Sequence, residues 1–359
     1  MEERVPEIRF KEYKEPWKKR KLIESVSSID TGKSKFNASK IGKYEILGST
    51  SVIGFDNEYD YEGDFILTAR VGANAGELYR HSGKVKISDN TVFIQGTQLD
   101  FIFRALQHLD IKKLSFGTGQ PLVKASELKE QVIPMPTSDI ERTLIGGWFC
   151  KLDALITLNQ QKLDKLKTIK KACLEKMFPK DGETVPEVRF QGFEGPWEKK
   201  KLGELMLLGN GCDYKHLQYG NIPVYGTGGY MTSVNAFLSD KDSIGIGRKG
   251  TIDKPYILKA PFWTVDTLFY ATPKDEVDLS YLFGLFQIID WKSKDESTGV
   301  PSLSKQNIND IELYSTCDTS EQRKIGSFFT EIDDLITLNQ QKLEKLKNLK
   351  KALLDKMFV

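Results

Sequence analysis

Apolar residues recur at intervals of three and four from Leu152 to Phe178, which is the pattern of an amphipathic helix with one apolar stripe. Lysines and acidic residues fill the other faces. Pro179 cannot continue a helix, and the run Ser138-Asp-Ile-Glu141 has the spacing of a capping box. The pattern therefore predicts one long helix that begins near Ser138 and ends at Phe178.

The chain contains this helix twice. Residues 332–358 match residues 152–178 at 20 of 27 positions, and the arm at 186–202 (PEVRFQGFEGPWEKKKL) matches the arm at 6–22 (PEIRFKEYKEPWKKRKL). Each half thus runs as an arm, a globular region and a long helix. Two apolar stripes in one chain are best buried against each other, so we expect an antiparallel helix pair relating the halves by an approximate two-fold axis.

One polar residue interrupts each stripe, Asn159 in the first helix and Asn339 in the second. A buried amide loses its hydrogen bonds to water, so each asparagine could favour the helix register in which it meets a partner. Alternatively, both side chains point sideways into solvent. The helix prediction holds in either case.

The globular regions at 23–136 and 203–316 differ more between the halves. Short β-rich runs alternate with Gly, Asn and Ser turns, and Leu99–Leu109 and Leu279–Ile289 have the composition of helices. These regions are predicted to be mixed α and β folds, each with its own core. The arm residues Trp17 and Trp197 are expected to be core anchors.

Weak correspondences survive between the two regions. They are Gly48 with Gly226, Arg70-Val-Gly72 with Arg248-Lys-Gly250, and Thr118-Gly-Gln-Pro121 with Thr298-Gly-Val-Pro301. The two regions therefore look like one fold that carries two different surfaces.

Composition narrows the class of protein. The 359 residues are 39% hydrophobic and 28% charged, with no run of the roughly 18 apolar residues that a membrane span needs and no signal-peptide pattern at the start. The four cysteines show no C-x-x-C spacing, so we expect a reducing, cytoplasmic location and no structural metal site. With a formal net charge of only +2, any nucleic-acid partner must be held by basic residues that the fold brings together.

Motifs of catalysis are weak or missing. Gly245-Ile-Gly-Arg-Lys-Gly250 matches the dinucleotide fingerprint, but Pro255 stands where the required helix should run. Gly32-Lys-Ser34 resembles the end of a P-loop, yet Ser27 replaces the glycine needed five residues earlier. We therefore expect no catalytic residues and no enzyme activity in this chain.

Paired basic turns are the better candidates for function. Arg70 and Arg248 each follow a β-like run in a Gly-rich turn, where a guanidinium could contact guanine or clamp a phosphate. A structural ion pair is the alternative for both. Loop lysines could neutralise DNA phosphates, although each could be an ordinary surface lysine. The full DNA-binding set is Arg70, Arg248, Lys249, Lys33, Lys35, Lys43, Thr118, Lys124, Lys215, Thr298 and Lys305.

This layout resembles the specificity subunit of type I restriction-modification systems. The resemblance rests on the P-W openings at Pro16 and Pro196, the LITLNQQKL helices at Leu155 and Leu335, the stretch from Ile246 to Thr251, and the Thr-Gly pairs at 118 and 298. It implies an α+β fold, in which two mixed α/β target recognition domains are joined by two long antiparallel coiled-coil helices with a pseudo-two-fold internal repeat. The implied domains are 1–137, the spacer helix 138–180, 181–317 and the second spacer helix 318–359.

In function, the resemblance implies a DNA reader without catalysis. Each recognition domain would bind one half of a bipartite double-stranded target, and the helices would set the gap between the halves. Methyltransferase subunits, usually two, would dock on the helices and bind S-adenosylmethionine, and restriction subunits would add ATP- and Mg-dependent cleavage; this chain would hold no cofactor and touch no membrane. The leucines assigned to partner binding are Leu155, Leu163, Leu166, Leu335, Leu343 and Leu346.

Two other classes remain open from the residues alone. One is a duplicated coiled-coil scaffold that binds proteins or glycans without DNA. The other is a nuclease or methyltransferase that acts alone, against which the missing motifs count.

Overall fold

The computed structural model describes residues 5–35, 39–114 and 121–359. The chain forms two compact units. The first consists of the chain up to Gln160 together with Lys342–Val359, and the second is Gln161–Gln341. Each unit therefore includes pieces of both long helices.

The elements that begin in the first half form two sheets. A six-stranded sheet has the order β2-β7-β5-β6-β3-β4, antiparallel except for the parallel pair β3–β6, and β1 pairs with β8. The bounds are β1 Lys18–Lys21, β2 Ser28–Thr31, β3 Tyr44–Leu47, β4 Val52–Asp56, β5 Tyr61–Ala69, β6 Leu78–Ile87, β7 Thr91–Gln95, α1 Leu99–Leu109, α2 Ala125–Glu130, β8 Val132–Met135 and α3 Asp139–Lys176.

The second half repeats the plan with a divided sheet. Its sheets have the orders β10-β16-β13-β14, β12-β11-β15 and β17-β9, with β11 and β15 parallel. The bounds are β9 Glu198–Lys201, α4 Leu202–Leu205, β10 Met206–Asn210, β11 Tyr219–Gly226, β12 Gly229–Val234, β13 Ser243–Gly247, β14 Tyr256–Leu258, β15 Trp263–Thr264, β16 Leu268–Pro273, α5 Leu279–Ile288, α6 Lys305–Asp310, β17 Glu312–Ser315 and α7 Thr319–Met357.

The predicted helices and β-rich runs are confirmed at these bounds, and α3 stops two residues before the predicted end. No helix in the described ranges is both long enough and apolar enough to cross a bilayer.

Within each unit the long helices pack antiparallel. In the first unit, Phe149 of α3 contacts Phe358, and Lys350 of α7 pairs with Asp153 at 2.6 Å. In the second unit, Phe178 contacts Phe329 and Lys170 pairs with Asp333. The apolar stripes thus face each other as predicted, with cross-helix ion pairs at their edges.

The arm tryptophans are core residues, as predicted. Trp17 is 5% exposed and meets Phe101 and Phe358 edge-on, at centroid distances of 5.8 and 5.9 Å. Trp197 is 3% exposed and meets Phe178 and Tyr281 in the same way. Phe358, directly after the end of α7, therefore packs in the same core as Trp17 of the first arm.

A buried ion pair fixes each arm to the start of a long helix. Arg9 donates Nε and Nη2 to the two carboxylate oxygens of Glu141 at 2.7 and 2.9 Å, and Arg189 does the same to Glu321 at 2.6 and 2.9 Å. Both glutamates are 1% exposed. The hydrogen bond to Glu321 raises the pKa of Arg189. These glutamates therefore bind the arms and do not turn back to complete capping boxes.

Helix starts also differ from the predicted capping in detail. Ser138 accepts from the Glu141 amide at 3.3 Å, which is half of the predicted box. In the second helix the cap is Asp318, whose carboxylate accepts from the amides of Ser320 and Glu321. A carboxylate is a strong acceptor at a helix N-terminus, so it takes the capping position.

The seam asparagines are buried, as the first interpretation requires, but the hydrogen bond described for each lies within its own helix. Asn159 and Asn339 are 6% and 5% exposed, so they do not point into solvent. Each donates its amide to the carbonyl four residues earlier in its own helix, Leu155 or Leu335, at 2.7 Å. The described bond is therefore intrahelical, because the backbone acceptor is always within reach of a short amide side chain.

Candidate nucleic-acid interface

The first unit holds Arg70 in a turn fixed by backbone hydrogen bonds. The Arg70 amide donates to the carbonyl of Asn90 at 2.9 Å, and its own carbonyl accepts from Val123 at 2.8 Å. The Gly72 amide donates to the carbonyl of Pro121 at 3.0 Å, which joins the Arg-Val-Gly turn to the last residue of the Thr-Gly-Gln-Pro sequence. The side chain of Arg70 is exposed at the end of β5.

The second unit builds the same turn from different residues. The Arg248 amide donates to the carbonyl of Thr267 at 2.7 Å, and its carbonyl accepts from Leu303 at 2.9 Å. The Gly250 amide donates to Pro301 at 2.8 Å, at a φ of +89° that favours glycine. Two motifs that correspond only weakly in sequence are thus joined in each unit by equivalent bonds.

The arginines are available for a ligand. Among the described residues, neither Arg70 nor Arg248 forms an ion pair with an acidic side chain. The Arg248 guanidinium lies 5.8 Å from the Phe269 ring centroid and 3.5 Å from the carbonyl of Asp266. Ring and carbonyl orient the group without neutralising its charge.

Three predicted DNA-binding residues of the second unit lie together. Arg248, Lys249 and Lys305 line a surface depression of about 450 Å³, with Phe269 on its wall and Glu296 at its side. A positively charged hollow of this kind suits a phosphate or a guanine edge. Thr298 and Lys215 are exposed but do not line this depression.

The loop that carries Thr298 is held by one carboxylate. Asp295 accepts from the amides of Ser302 and Ser297 at 2.9 and 3.0 Å and from the Ser297 hydroxyl at 2.9 Å. These bonds, that from Ser302 first, hold the pKa of Asp295 below its usual value. The loop therefore keeps one shape beside the Arg248 turn.

The remaining DNA-binding candidates of the first unit are more widely spread. Lys33, Lys35 and Lys43 are exposed, and Lys43 sits 5.2 Å from the Tyr44 ring centroid. Lys124 forms an ion pair with Glu127 at 2.9 Å, so it is a weaker candidate for binding a phosphate. Thr118 lies outside the described residues.

Two tyrosines that the sequence did not single out hold a hairpin beside each turn. Tyr79 donates its hydroxyl to the carbonyl of Gly48 at 2.5 Å, and Tyr256 donates to Gly226 at 2.6 Å. Burial raises the pKa of both phenols, so both stay protonated donors. The paired glycines Gly48 and Gly226 were the only sequence signal for this arrangement.

The leucines assigned to partner binding divide by exposure. Leu155 and Leu335 are 48% and 44% exposed and can meet a partner, but Leu163 and Leu343 are buried in the chain and cannot. Helix geometry explains the division, because the stripe residues face the helix seam and their neighbours face outward. Leu166 and Leu346 are half-buried, and Leu158 and Leu338, which the prediction omitted, are the most exposed leucines of the repeated segment.

Other site types find little support. The chain runs from Gly250 into strand β14, so the fingerprint-like run lacks the helix that a dinucleotide site needs. In the part of the chain that the structure describes, no group of three or more His, Cys, Asp or Glu side chains is placed to hold a metal ion.

Comparison with known proteins identifies the fold. The family model for the type I restriction modification DNA specificity domain matches residues 14–168 and again 194–348. A putative type I specificity subunit of Mycoplasma genitalium is 22% identical over 273 residues, covering 72% of this chain and 70% of that protein. A putative type I specificity subunit of Mycoplasma pneumoniae is 22% identical over 319 residues, covering 77% of this chain and 88% of that protein.

Solved structures agree on the fold. The crystal structure of a type I restriction-modification S subunit from M. genitalium matches with a TM-score of 0.78 at 19% identity, covering 99% of both chains. A structure concerned with complex assembly and conformational transition of the type I system matches with a TM-score of 0.51 at 14% identity, covering 96% of this chain and 99% of that one. Because the family model covers most of the sequence in two copies, the chain belongs to the type I restriction-modification DNA specificity family.

Proposed function

We propose that this chain reads a bipartite double-stranded DNA target, one half with each unit, and performs no catalysis itself. The observation that carries the proposal is the repeated turn. Arg70 and Arg248 stand in equivalent backbone frames, exposed and without a carboxylate partner in the described structure, while the residues around them differ. Equivalent frames with different side chains suit two half-sites of different sequence.

The helices would serve as the spacer and as the docking surface. The repeated segment of 27 residues is about 40 Å long at about 1.5 Å per residue, close to the ~34–36 Å of one DNA turn. Leu155 and Leu158 of α3 and Leu335 and Leu338 of α7 are exposed apolar residues. Such residues on a soluble protein mark a partner surface.

The expected partners follow from the family. Two methyltransferase subunits would dock on the helices and bring S-adenosylmethionine, and restriction subunits would bring ATP and Mg, so this chain would need no cofactor. The complex would act in the cytoplasm, where the cell's DNA lies.

A binding selection tests the proposal. The chain is mixed with its cognate methyltransferase subunit and a random duplex pool, and retained DNA is sequenced at two salt concentrations. We expect one enriched bipartite motif and weaker retention at the higher salt, because phosphate contacts release counterions. A scaffold for proteins or glycans would give no enriched sequence and no salt dependence.

A further inference from the structure

The hairpin beside the Arg248 turn contains a β-bulge at its tip. In the pairing of β11 with β12, Val224 faces Thr232 but the next residue, Tyr225, faces Tyr230. Met231 is therefore an extra residue without a partner on the other strand. A bulge re-aims the side chains around it and is common next to functional sites.

The first unit has the same bulge in the same register. Ile46 faces Gly54, Leu47 faces Val52, and Ile53 is the extra residue. Val52 and Ile53 thus correspond to Tyr230 and Met231. The two hairpins share a backbone plan but differ in the side chains at their tips.

The bulged residue lies over a glycine in each hairpin. A Cβ added at Gly226 would come within 2.6 Å of the Met231 sulfur, and one added at Gly48 would come within 2.4 Å of the Ile53 side chain. Only glycine leaves room for the bulged side chain to cross the turn. This requirement explains why Gly48 and Gly226 correspond in otherwise divergent regions.

The hairpin and the arginine turn are joined by a short segment. The carbonyl of Tyr225 accepts from Val265 at 2.9 Å, and two residues later the carbonyl of Thr267 accepts from the Arg248 amide. In the first unit, Asn90 joins the two directly, because its carbonyl accepts from both the Arg70 amide and the Ser49 hydroxyl. The backbone of the hairpin and the backbone of the arginine turn are therefore linked through a few residues in each unit.

The tip of the second unit is apolar and exposed. Tyr230 is 62% exposed and Met231 is 53% exposed, and the Tyr230 hydroxyl is held by Ser233 at 3.1 Å. The equivalent Ile53 is 38% exposed, and Val52 is half-buried. An exposed arginine turn and an exposed apolar tip that are linked through the backbone suit the major groove of DNA, where guanine offers two acceptors and thymine offers a methyl group.

We propose that Tyr230 and Met231 are a second base-reading element, which contacts the C5-methyl group of a thymine in the half-site bound by the second unit. The proposal rests on the proposed function and adds to it a chemical class of contact. Arg248 supplies the polar contact of that half-site, and the bulged tip supplies the apolar one.

Uracil scanning tests the contact, because uracil differs from thymine only by the missing methyl group. The target is first read from methylated DNA, and each thymine of each half-site is then replaced singly by uracil in duplexes bound by the full complex with methyltransferase. For the unaltered chain we expect one position in the second half-site where affinity falls about fourfold, the worth of one buried methyl group. The double variant Tyr230→Ser with Met231→Ser, which removes the large apolar groups from the tip, should lose that sensitivity.

The first half-site is the internal control, since uracil effects there should be the same with either chain. A second half-site without thymine on either strand, a uracil scan without effect, or a scan unchanged by the double variant would each overturn the contact. The scan on the unaltered chain needs no variant, so it can refute the proposed contact even if the double variant does not fold. Failure of the proposed function looks different, since the complex would then retain no specific DNA at all.

Discussion

Breaking the buried ion pair between Arg189 and Glu321 should destabilise the second unit strongly. The variant Arg189→Met keeps most of the side chain's volume but leaves the carboxylate of Glu321, 1% exposed, without its partner. Two charge-assisted bonds are lost, each worth about 1.5–3 kcal/mol. Removing one partner of a buried pair costs about 3–5 kcal/mol, and we expect a loss of that size.

Matched variants separate this effect from a simple loss of charge. Lys201→Met breaks an exposed pair with Asp310 and should cost no more than about 1 kcal/mol. The double variant Arg189→Met with Glu321→Met removes both buried charges and should recover most of the loss. Arg9→Met should cost less than Arg189→Met, because Arg189 Nη1 also donates to a backbone carbonyl whereas Arg9 Nη1 is buried without a hydrogen bond in the described structure.

The assay is urea unfolding of the full chain followed by tryptophan fluorescence. Trp197, Trp263 and Trp291 lie in the second unit, and Trp197 is buried against Phe178 and Tyr281. Phenylalanine at Trp17 and Trp148 in every chain compared restricts the signal to the second unit. The free energy of unfolding is extrapolated to water for each variant. A loss below about 1 kcal/mol for Arg189→Met, or a double variant as unstable as the single one, would show that an unpaired buried carboxylate does not destabilise this unit.

Three further predictions concern the complex. Arg70→Ala and Arg248→Ala should each weaken DNA binding while leaving methyltransferase assembly intact, as measured by titration and by co-purification; unchanged affinity in both would remove their assigned role. Inserting four residues after both Lys165 and Lys345 should lengthen each helix by about 6 Å and lengthen the gap in the selected DNA motif; recovery of the original gap would count against the spacer role. Leu155→Asp should weaken methyltransferase binding in a pull-down without changing thermal stability, because the side chain is exposed; equal binding would show that this leucine is outside the contact.

Local signals explain what could be predicted from the sequence. The long helices follow from their apolar period and from Pro179, and the core tryptophans follow from their place in the repeated arms. Contacts between residues far apart in the sequence were harder to predict. The ion pair between Arg9 and Glu141 joins residues that are 132 positions apart. The arginine that both arms share, Arg9 or Arg189, therefore gave no indication of its partner.

The candidate site was harder to predict because it depends on strand register. The pairing of the Arg-x-Gly turns with the Thr-Gly-x-Pro loops was visible only as isolated correspondences. The bulges at Ile53 and Met231 required knowledge of the opposite strand, since one residue more or less in a run of sequence leaves no periodic signal. The pairing of Lys124 with Glu127, by contrast, is a local contact between residues three positions apart.

Sequencing of methylated DNA from cells that express this chain with its methyltransferase shows whether the two units read separate half-sites. We expect one motif of two unlike halves separated by a fixed gap, with substitutions at Arg70 and Tyr230 altering different halves. A continuous motif, two identical halves, or one half altered by both substitutions would contradict it.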